Sequence, residues 1–377
     1  MNVPKLRFKE FTDEWQKKTL KSVSSYFKSG KSIKSSDILE KGLYPVYGGN
    51  GLRGYTNTFN FDGNASLIGR QGALCGNVTY VKGKNYMTEH AVIVQSNHDN
   101  YNKFLFYILF SMNLNQYSTQ SAQPGLSVSN LLALFNYFPN IKEQTKIANF
   151  LSTVDKKISN LEDIITNLEK QKKGLLQQIF NQELRFKDEN DNNYPDWEKK
   201  KLGDNTTSFS GGTPSVNVRD YYYGSIPFIK SGEIHNDFTE TFITEAGLIS
   251  SSAKLVNKGD LLFALYGATS GDTSISKING AINQAVLCVR SKTLNLHYLY
   301  QLLNFYRKKL LSIYLQGGQG NFSASIFKNL TFKFPCLEEQ TKIADFLSAF
   351  DRKIDNQKAQ LEHWKQIKKG LLQQMFV

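Results

Sequence analysis

The chain says the same thing twice, and this repetition limits what it can fold into. Residues 139–180 and 335–376 align without a gap at an offset of 196, with 22 of 42 positions identical. Glu143-Gln144-Thr145-Lys146-Ile147-Ala148 answers Glu339-Gln340-Thr341-Lys342-Ile343-Ala344, and Lys172-Lys173-Gly174-Leu175-Leu176-Gln177-Gln178 answers Lys368-Lys369-Gly370-Leu371-Leu372-Gln373-Gln374. A shorter repeat opens each half: Leu6-Arg7-Phe8-Lys9 ahead of Trp15, and Leu184-Arg185-Phe186-Lys187 ahead of Trp197. A fixed-offset repeat is the signature of one structural unit built more than once. The chain therefore reads as two copies of a unit, roughly 4–180 and 182–376.

The repeated segments carry a helical seam. Apolar residues fall at Ile147, Leu151, Val154, Ile158, Leu161, Ile165 and Leu168 in the first copy. The second copy has Ile343, Leu347, Phe350, Ile354, Leu361 and Trp364. Steps of three and four with no proline describe a helix packed along another helix. About 38 such residues make a rod of roughly 57 Å. An exposed apolar stripe is costly, so the two helices are expected to pack on each other as an antiparallel coiled coil. Packing on their own domains or on another subunit is the competing arrangement.

The interiors differ in kind. Regions 20–138 and 202–334 are rich in Gly, Asn, Ser and Tyr. Short strand-like runs occur at Ala91–Val94, Asp260–Ala264 and Ala285–Val289, with one helix expected near 101–112 and another near 296–311. The two interiors keep an apolar and glycine skeleton while their polar residues diverge: Leu67–Gly76 lies on Leu262–Gly271, Tyr44-Pro45-Val46 on Ile226-Pro227-Phe228, and Ser127 on Ser323. The expected fold is α/β (α+β): two mixed α/β domains and two long helices in a pseudo-two-fold internal repeat. The boundaries are 1–140, 141–183, 184–336 and 337–377.

Little in the sequence points to catalysis. Gly30-Lys31-Ser32 imitates the end of a phosphate-binding loop, but Ser25 stands where that loop needs its first glycine. The five histidines include no HExxH, and Cys75, Cys288 and Cys336 form no CxxC pair. No metal and no cofactor is expected on this chain, and the cysteines read as packed thiols in a reducing cytoplasm. No apolar run approaches the ~18 residues of a membrane helix, so the expected location is cytoplasmic with no membrane partner. The balance of 46 Lys and Arg against 33 Asp and Glu gives +13. Such an excess favours a polyanion, and nucleic acid is the commonest.

Two variable domains alternating with two near-identical helices resemble the specificity subunits of Type I restriction-modification systems. Ser210-Gly211-Gly212-Thr213-Pro214-Ser215 with Ile226-Pro227-Phe228-Ile229-Lys230-Ser231-Gly232 is similar to strings of that family. So is Pro335-Cys336-Leu337-Glu338-Glu339-Gln340-Thr341-Lys342-Ile343-Ala344. Around Lys28-Ser29-Gly30-Lys31-Ser32 the first domain lacks the Gly-Gly-Thr-Pro-Ser string. The resemblance implies a non-catalytic subunit that reads a bipartite, asymmetric site on double-stranded DNA. It also implies two methyltransferase (M) subunits that use S-adenosylmethionine to methylate adenine, and restriction (R) subunits that use ATP and Mg. A methylation-only system, a stand-alone DNA-binding protein and a coiled-coil scaffold remain as alternatives.

Position within Gly-rich segments selects the expected DNA contacts: Arg53, Arg70, Gln71 and Lys82 in the first domain, and Lys230, His235, Tyr266, Gln316 and Gln319 in the second. Lys157 and Lys353 are the expected partner-docking residues on the helices. The helices are expected to set the spacing of two half-sites about one DNA turn, near 10 base pairs, apart. Inserting four in-phase residues between Ile158 and Leu168, about 6 Å of helix, should lengthen the unread spacer by roughly one or two base pairs at ~3.4 Å each. Both half-site words should survive. Sequencing the methylated motif of the insertion variant checks this: an unchanged spacer with full activity assigns the spacing to something else.

Overall fold

Between its helical segments the chain folds into short strands, and both halves place them in the same order. The computed structural model describes residues 3–72, 74–119, 124–314 and 321–377. Two compact units emerge: Met1–Asp163 with Lys358–Val377, and Ile164–Gln357. Each unit thus owns one strand-rich domain and one half of each long helix.

In unit 1, β1 (Gln16–Thr19) leads through the short α1 (Leu20–Val23) to β2 (Ser24–Ser29). Then come β3 (Tyr44–Gly48), β4 (Gly51–Thr56), β5 (Phe61–Asp62), β6 (Ala65–Gly69), β7 (Val78–Val81), β8 (Lys84–Met87) and β9 (Ala91–Ser96). After α2 (Asn102–Ser111) and α3 (Val128–Ala133), β10 (Phe135–Phe138) returns to pair with β1, and α4 (Ile141–Phe180) begins. The strands form sheets ordered β2-β9-β6-β7 and β4-β3-β8-β5. β3 and β8 run parallel, with Val46 opposite Tyr86 and Tyr47 opposite Met87.

Unit 2 repeats the plan. β11 (Glu198–Lys201), α5 (Leu202–Asn205), β12 (Thr207–Ser210), β13 (Tyr222–Ile229) and β14 (Phe242–Ile243) come first. They are followed by α6 (Glu245–Ile249), β15 (Lys254–Val256), β16 (Leu261–Ala264), β17 (Thr273–Ile275), β18 (Gly280–Ile282) and β19 (Val286–Arg290). α7 (Leu296–Tyr314), α8 (Ala324–Asn329), β20 (Thr331–Phe334) and α9 (Leu337–Met375) complete it. The sheets are β12-β19-β16-β17 and β14-β13-β18-β15, again with one parallel pair, Phe228 opposite Ala281 and Ile229 opposite Ile282. Ser127 and Ser323 cap α3 and α8 alike, each hydroxyl accepting the backbone N–H three residues on, Asn130 and Ile326. The expected strands and helices of the interiors are all present.

The long helices run antiparallel within each unit. In unit 1, Asp155 pairs with Lys368 at 2.6 Å and Glu162 with Lys365 at 3.0 Å. In unit 2 the equivalent residues exchange roles, and Lys172 pairs with Asp351. The same aspartates anchor the domain helices: Tyr107 Oη donates to Asp155 Oδ2 at 2.6 Å, and Gln301 Nε2 to Asp351 Oδ2 at 2.7 Å.

The apolar seam divides its work. Ile147 and Leu151 join the unit 1 core with Phe104, Phe138, Leu372 and Met375. Ile343 and Leu347 join the unit 2 core with Tyr298, Phe334 and Phe180. The expected helix-on-helix packing and the competing packing of each helix on its own domain therefore both occur. Val154, Leu161 and Ile354 are buried, whereas Ile158, Phe350 and Leu361 are half-buried. Phe350 spends its ring on Phe346, centroids 5.4 Å apart.

One buried cluster joins each domain to its helix start. Arg7 Nε and Nη2 donate to Glu143 Oε1 and Oε2 at 2.7 and 2.8 Å, and Trp15 Nε1 donates to Oε1 at 3.3 Å. In unit 2, Arg185 donates to both oxygens of Glu339 at 2.8 Å, and Trp197 Nε1 to Oε2 at 3.2 Å. Both carboxylates are fully buried. Removing one partner of a buried pair costs about 3–5 kcal/mol because it strands the other. Glu143→Ala should therefore destabilise unit 1 by that order. Hydrogen exchange should accelerate in β1 and β10 while β11 and β20 keep wild-type protection. Equal acceleration in both units, or in neither, would contradict this placement of the cluster.

Candidate nucleic-acid interface

In unit 1, three loops meet at one rim: the β3–β4 turn, the segment leaving β6 and the segment leading into β9. They enclose a cleft of about 510 Å³ lined by Gly49, Asn50, Arg53, Gln71, Gly72 and His90. Backbone hydrogen bonds fix this frame. Arg70 N donates to His90 O at 3.0 Å, Thr88 N to Tyr47 O at 2.9 Å, and Leu126 N to Arg70 O at 2.9 Å. Gly72 turns the chain with φ +84. At Gly76, φ +91, a Cβ would stand 2.3 Å from Asn115 N, so only glycine fits.

The expected contacts are only partly gathered here. Arg53 and Gln71 line the cleft and are exposed. Arg70 does not line it: its Nη1 donates to Ser29 Oγ at 3.1 Å and its Nε is buried without a partner. Lys82 lies elsewhere. It follows Val81, which pairs with Ala65 at the start of β6, whereas Gln71 lies past the other end of that strand. Asn50, from the glycine-rich Gly48-Gly49-Asn50-Gly51 loop, lines the cleft too, and His90 joins it unforeseen. The His90 ring lies 3.3 Å from Glu89 Oε1 and is 42% exposed, enough to reach a ligand.

Unit 2 builds the same frame bond for bond. Leu265 N donates to Ala285 O at 2.8 Å, Asn283 N to Ile229 O at 3.4 Å, and Phe322 N to Leu265 O at 2.7 Å. Gly267 and Gly271 take φ +89 and +76, as Gly72 and Gly76 do. Gly30 also has its counterpart. A Cβ there would stand 2.1 Å from Met87 O, and one on Gly211 1.8 Å from Ile282 O. The first domain thus keeps Ser29-Gly30 of the Ser-Gly-Gly-Thr-Pro-Ser string and its close backbone approach but not the letters that follow, and Gly30-Lys31-Ser32 follows a strand rather than opening a helix.

Of the expected contacts in unit 2, Lys230 and Tyr266 sit on this rim. Lys230 is exposed, with Nζ donating to Thr241 Oγ1 at 2.8 Å. Tyr266 is half-buried and packs on the domain core. His235 lies near the β16–β17 turn, its Nε2 3.9 Å from Asp272 Oδ2, and Arg307 Nη1 approaches the same carboxylate at 2.9 Å. Partial burial lowers the His235 pKa; Asp272 opposes this, while Lys277 and Arg307 add to it. Gln316 and Gln319 lie outside the described residues. Lys157 and Lys353 are exposed on α4 and α9.

Among the described residues no cluster of His, Cys, Asp and Glu is placed to hold a metal ion, and no helix is long and apolar enough to cross a membrane. The cysteines are free, and burial raises each thiol pKa, Cys288 to about 12.

The signal that leads to His90 was present in the sequence. Extending the Leu67–Gly76 match beyond its end sets His90 against Ala285, a polar residue against an apolar one at the same strand start.

Similar proteins fit this picture. The chain is 42% identical over 163 residues to the Type I restriction enzyme EcoprrI specificity subunit of Escherichia coli, covering 42% of this chain and 40% of that one. It is 31% identical over 211 residues to the MjaIX specificity subunit of Methanocaldococcus jannaschii, covering 52% and 48%. The chain therefore spans about two-fifths to one half of these relatives' length. Its fold matches the crystal structure of a Type I restriction-modification S subunit from M. genitalium, with TM-score 0.75 at 18% identity over 100% of this chain and 99% of that one. A family model for the Type I restriction modification DNA specificity domain matches residues 12–170 and again 194–364, so the chain belongs to that family and carries its domain twice.

Proposed function

We propose that this chain is the DNA-sequence-specificity subunit of a Type I restriction-modification complex and carries no active site of its own. It reads a bipartite, asymmetric site on double-stranded DNA, one word per unit. Two methyltransferase subunits supply S-adenosylmethionine chemistry on adenine. Restriction subunits, where present, add ATP- and Mg-dependent cleavage; without them the chain serves a methylation-only system. The carrying observation is one backbone frame built twice with different side chains on its rim. Two different readers suit two different words. The charge of +13 supplies the sequence-independent attraction to phosphates. Methylome sequencing of cells carrying the complex should return one motif of two unlike words around a fixed gap. A palindrome or a single continuous word would overturn the reading.

The helical repeats bear on assembly. Much of their identity serves contacts inside the chain. Glu143 and Glu339 hold arginine and tryptophan. Gln144 and Gln340 each donate to a proline carbonyl at 2.9 Å and accept from Tyr101 N and Asn295 N. Other identities fall on exposed residues: Lys157 with Lys353, Lys173 with Lys369, and Gln177 with Gln373. Equivalent exposed residues suit two copies of one partner. Changing Lys157 and Lys353 to glutamate should weaken association with the methyltransferase subunits at least tenfold, while circular dichroism and thermal unfolding stay close to wild type. Light scattering measures the stoichiometry; one methyltransferase per chain would count against two docking surfaces.

A further inference from the structure

The two rims serve as an internal comparison: where backbone frames coincide, a difference in side chains is a difference in ligand. From this we infer a division of labour, resting on the DNA-reading function above. Arg53 and Lys230 position the DNA backbone, while Gln71 with His90, and Tyr266 at the equivalent place in unit 2, determine which bases are accepted.

The cation is the constant. Tyr47 and Ile229 are equivalent by their parallel partners Met87 and Ile282, so Gly48 corresponds to Lys230. Unit 1 has no side chain at Gly48. Instead Arg53 reaches across from β4, and a Cβ on Gly48 would stand 2.6 Å from Arg53 Cδ. Unit 2 supplies the cation from the Gly48 position itself, and Lys230 leans on Thr241 beside β14. Two different residues thus pass a cationic side chain through one place in the frame. A charge kept while its residue changes suits a phosphate contact, which takes Arg or Lys alike.

The neighbouring positions are the variables. The equivalent bonds from Arg70 N to His90 O and from Leu265 N to Ala285 O set Gln71 against Tyr266 and His90 against Ala285. Unit 1 offers an amide and an imidazole, both able to donate and accept at base edges. Unit 2 replaces them with a phenol half-buried on its core and a methyl group 5% exposed. The polar pair suits hydrogen-bond readout. The aromatic beside a small residue suits a flatter, apolar contact such as a thymine methyl.

Selection from a randomised duplex library, using the full chain assembled with its methyltransferase subunits, tests this division. Gln71→Tyr with His90→Ala should change the first word and leave the second intact. Affinity for the original site should fall roughly ten- to a hundredfold, the range of a lost bidentate contact. Arg53→Ala should keep both words, weaken binding to all sequences alike, and reduce the salt slope by about one. The inference is overturned if the double variant selects both original words at wild-type affinity, or if Arg53→Ala changes a word. Should the double variant lose both words, His90→Asn alone decides: a changed first word beside an intact second supports the assignment, and two unchanged words overturn it. A wild-type complex that selects no word defeats the DNA-reading function itself rather than this assignment.

Discussion

Everything else in this molecule is arranged around one buried carboxylate per unit. Glu143 and Glu339 sit in the first turn of a long helix, where the helix dipole already favours a negative charge. Each holds an arginine through two charge-assisted hydrogen bonds and a tryptophan through a third. The spare arginine donor is also used: Arg7 Nη2 reaches Asp13 O at 2.6 Å and Arg185 Nη2 reaches Pro195 O at 2.7 Å. Desolvating two charges is costly unless their hydrogen bonds are met, and here they are. The cluster fixes where the opening strand pair, β1 with β10 or β11 with β20, meets its helix. It thereby fixes the whole domain on that helix.

The repeat then becomes intelligible letter by letter. In Glu-Gln-Thr-Lys-Ile-Ala the glutamate holds the cluster and the glutamine ties the helix start to the head of α2 or α7. The threonine bonds the carbonyl four residues back, Ile141 O or Leu337 O. The lysine reaches the opening segment, Glu10 in unit 1 and the carbonyl of Lys187 in unit 2. Ile147, Ala148, Ile343 and Ala344 fill the cores. Even a backbone bond is duplicated. Leu184 N donates to Gln178 O six residues earlier in the chain, and Leu6 N donates to Gln374 O through space. This close constraint accounts for the likeness of the letters that face inward. A residue serving a buried network tolerates little change, and a residue on a solvent-facing loop tolerates much.

The architecture was legible in the sequence for the same reason. Period and repetition are local signals, and they revealed the helices, the duplicated domains and the strands at Ala91, Leu261 and Val286. The division of the seam was not legible. A stripe at Ile147 and Leu151 reads alike whether it meets a helix or a domain core, and only the fold shows that it meets both. Glu143 and Glu339 were visible as repeated letters, but their roles depend on Arg7 with Trp15 and on Arg185 with Trp197, each more than a hundred residues away. Proximity of that kind leaves no periodic trace.

The rims were the hardest to read, and Lys82 shows why. Both Lys82 and Gln71 flank glycine-rich turns, and composition alone ranks them together. β6 and β7 are antiparallel, with Ala65 opposite Val81 and Ile68 opposite Val78. That register puts the turn after β7 at the far end of the ladder from the turn after β6. Sequence proximity to glycine therefore says that a residue is on a loop, but not on which edge. What distinguishes the edges is the set of non-local backbone bonds, Arg70 to His90 and Thr88 to Tyr47, and these join segments tens of residues apart. The internal duplication recovers part of that information. It sets each rim against a second version of itself, so that a shared bond marks the frame and an exchanged side chain marks where the two rims differ. By that criterion Gln71 and His90 belong together although nineteen residues separate them, and Lys82 belongs with neither.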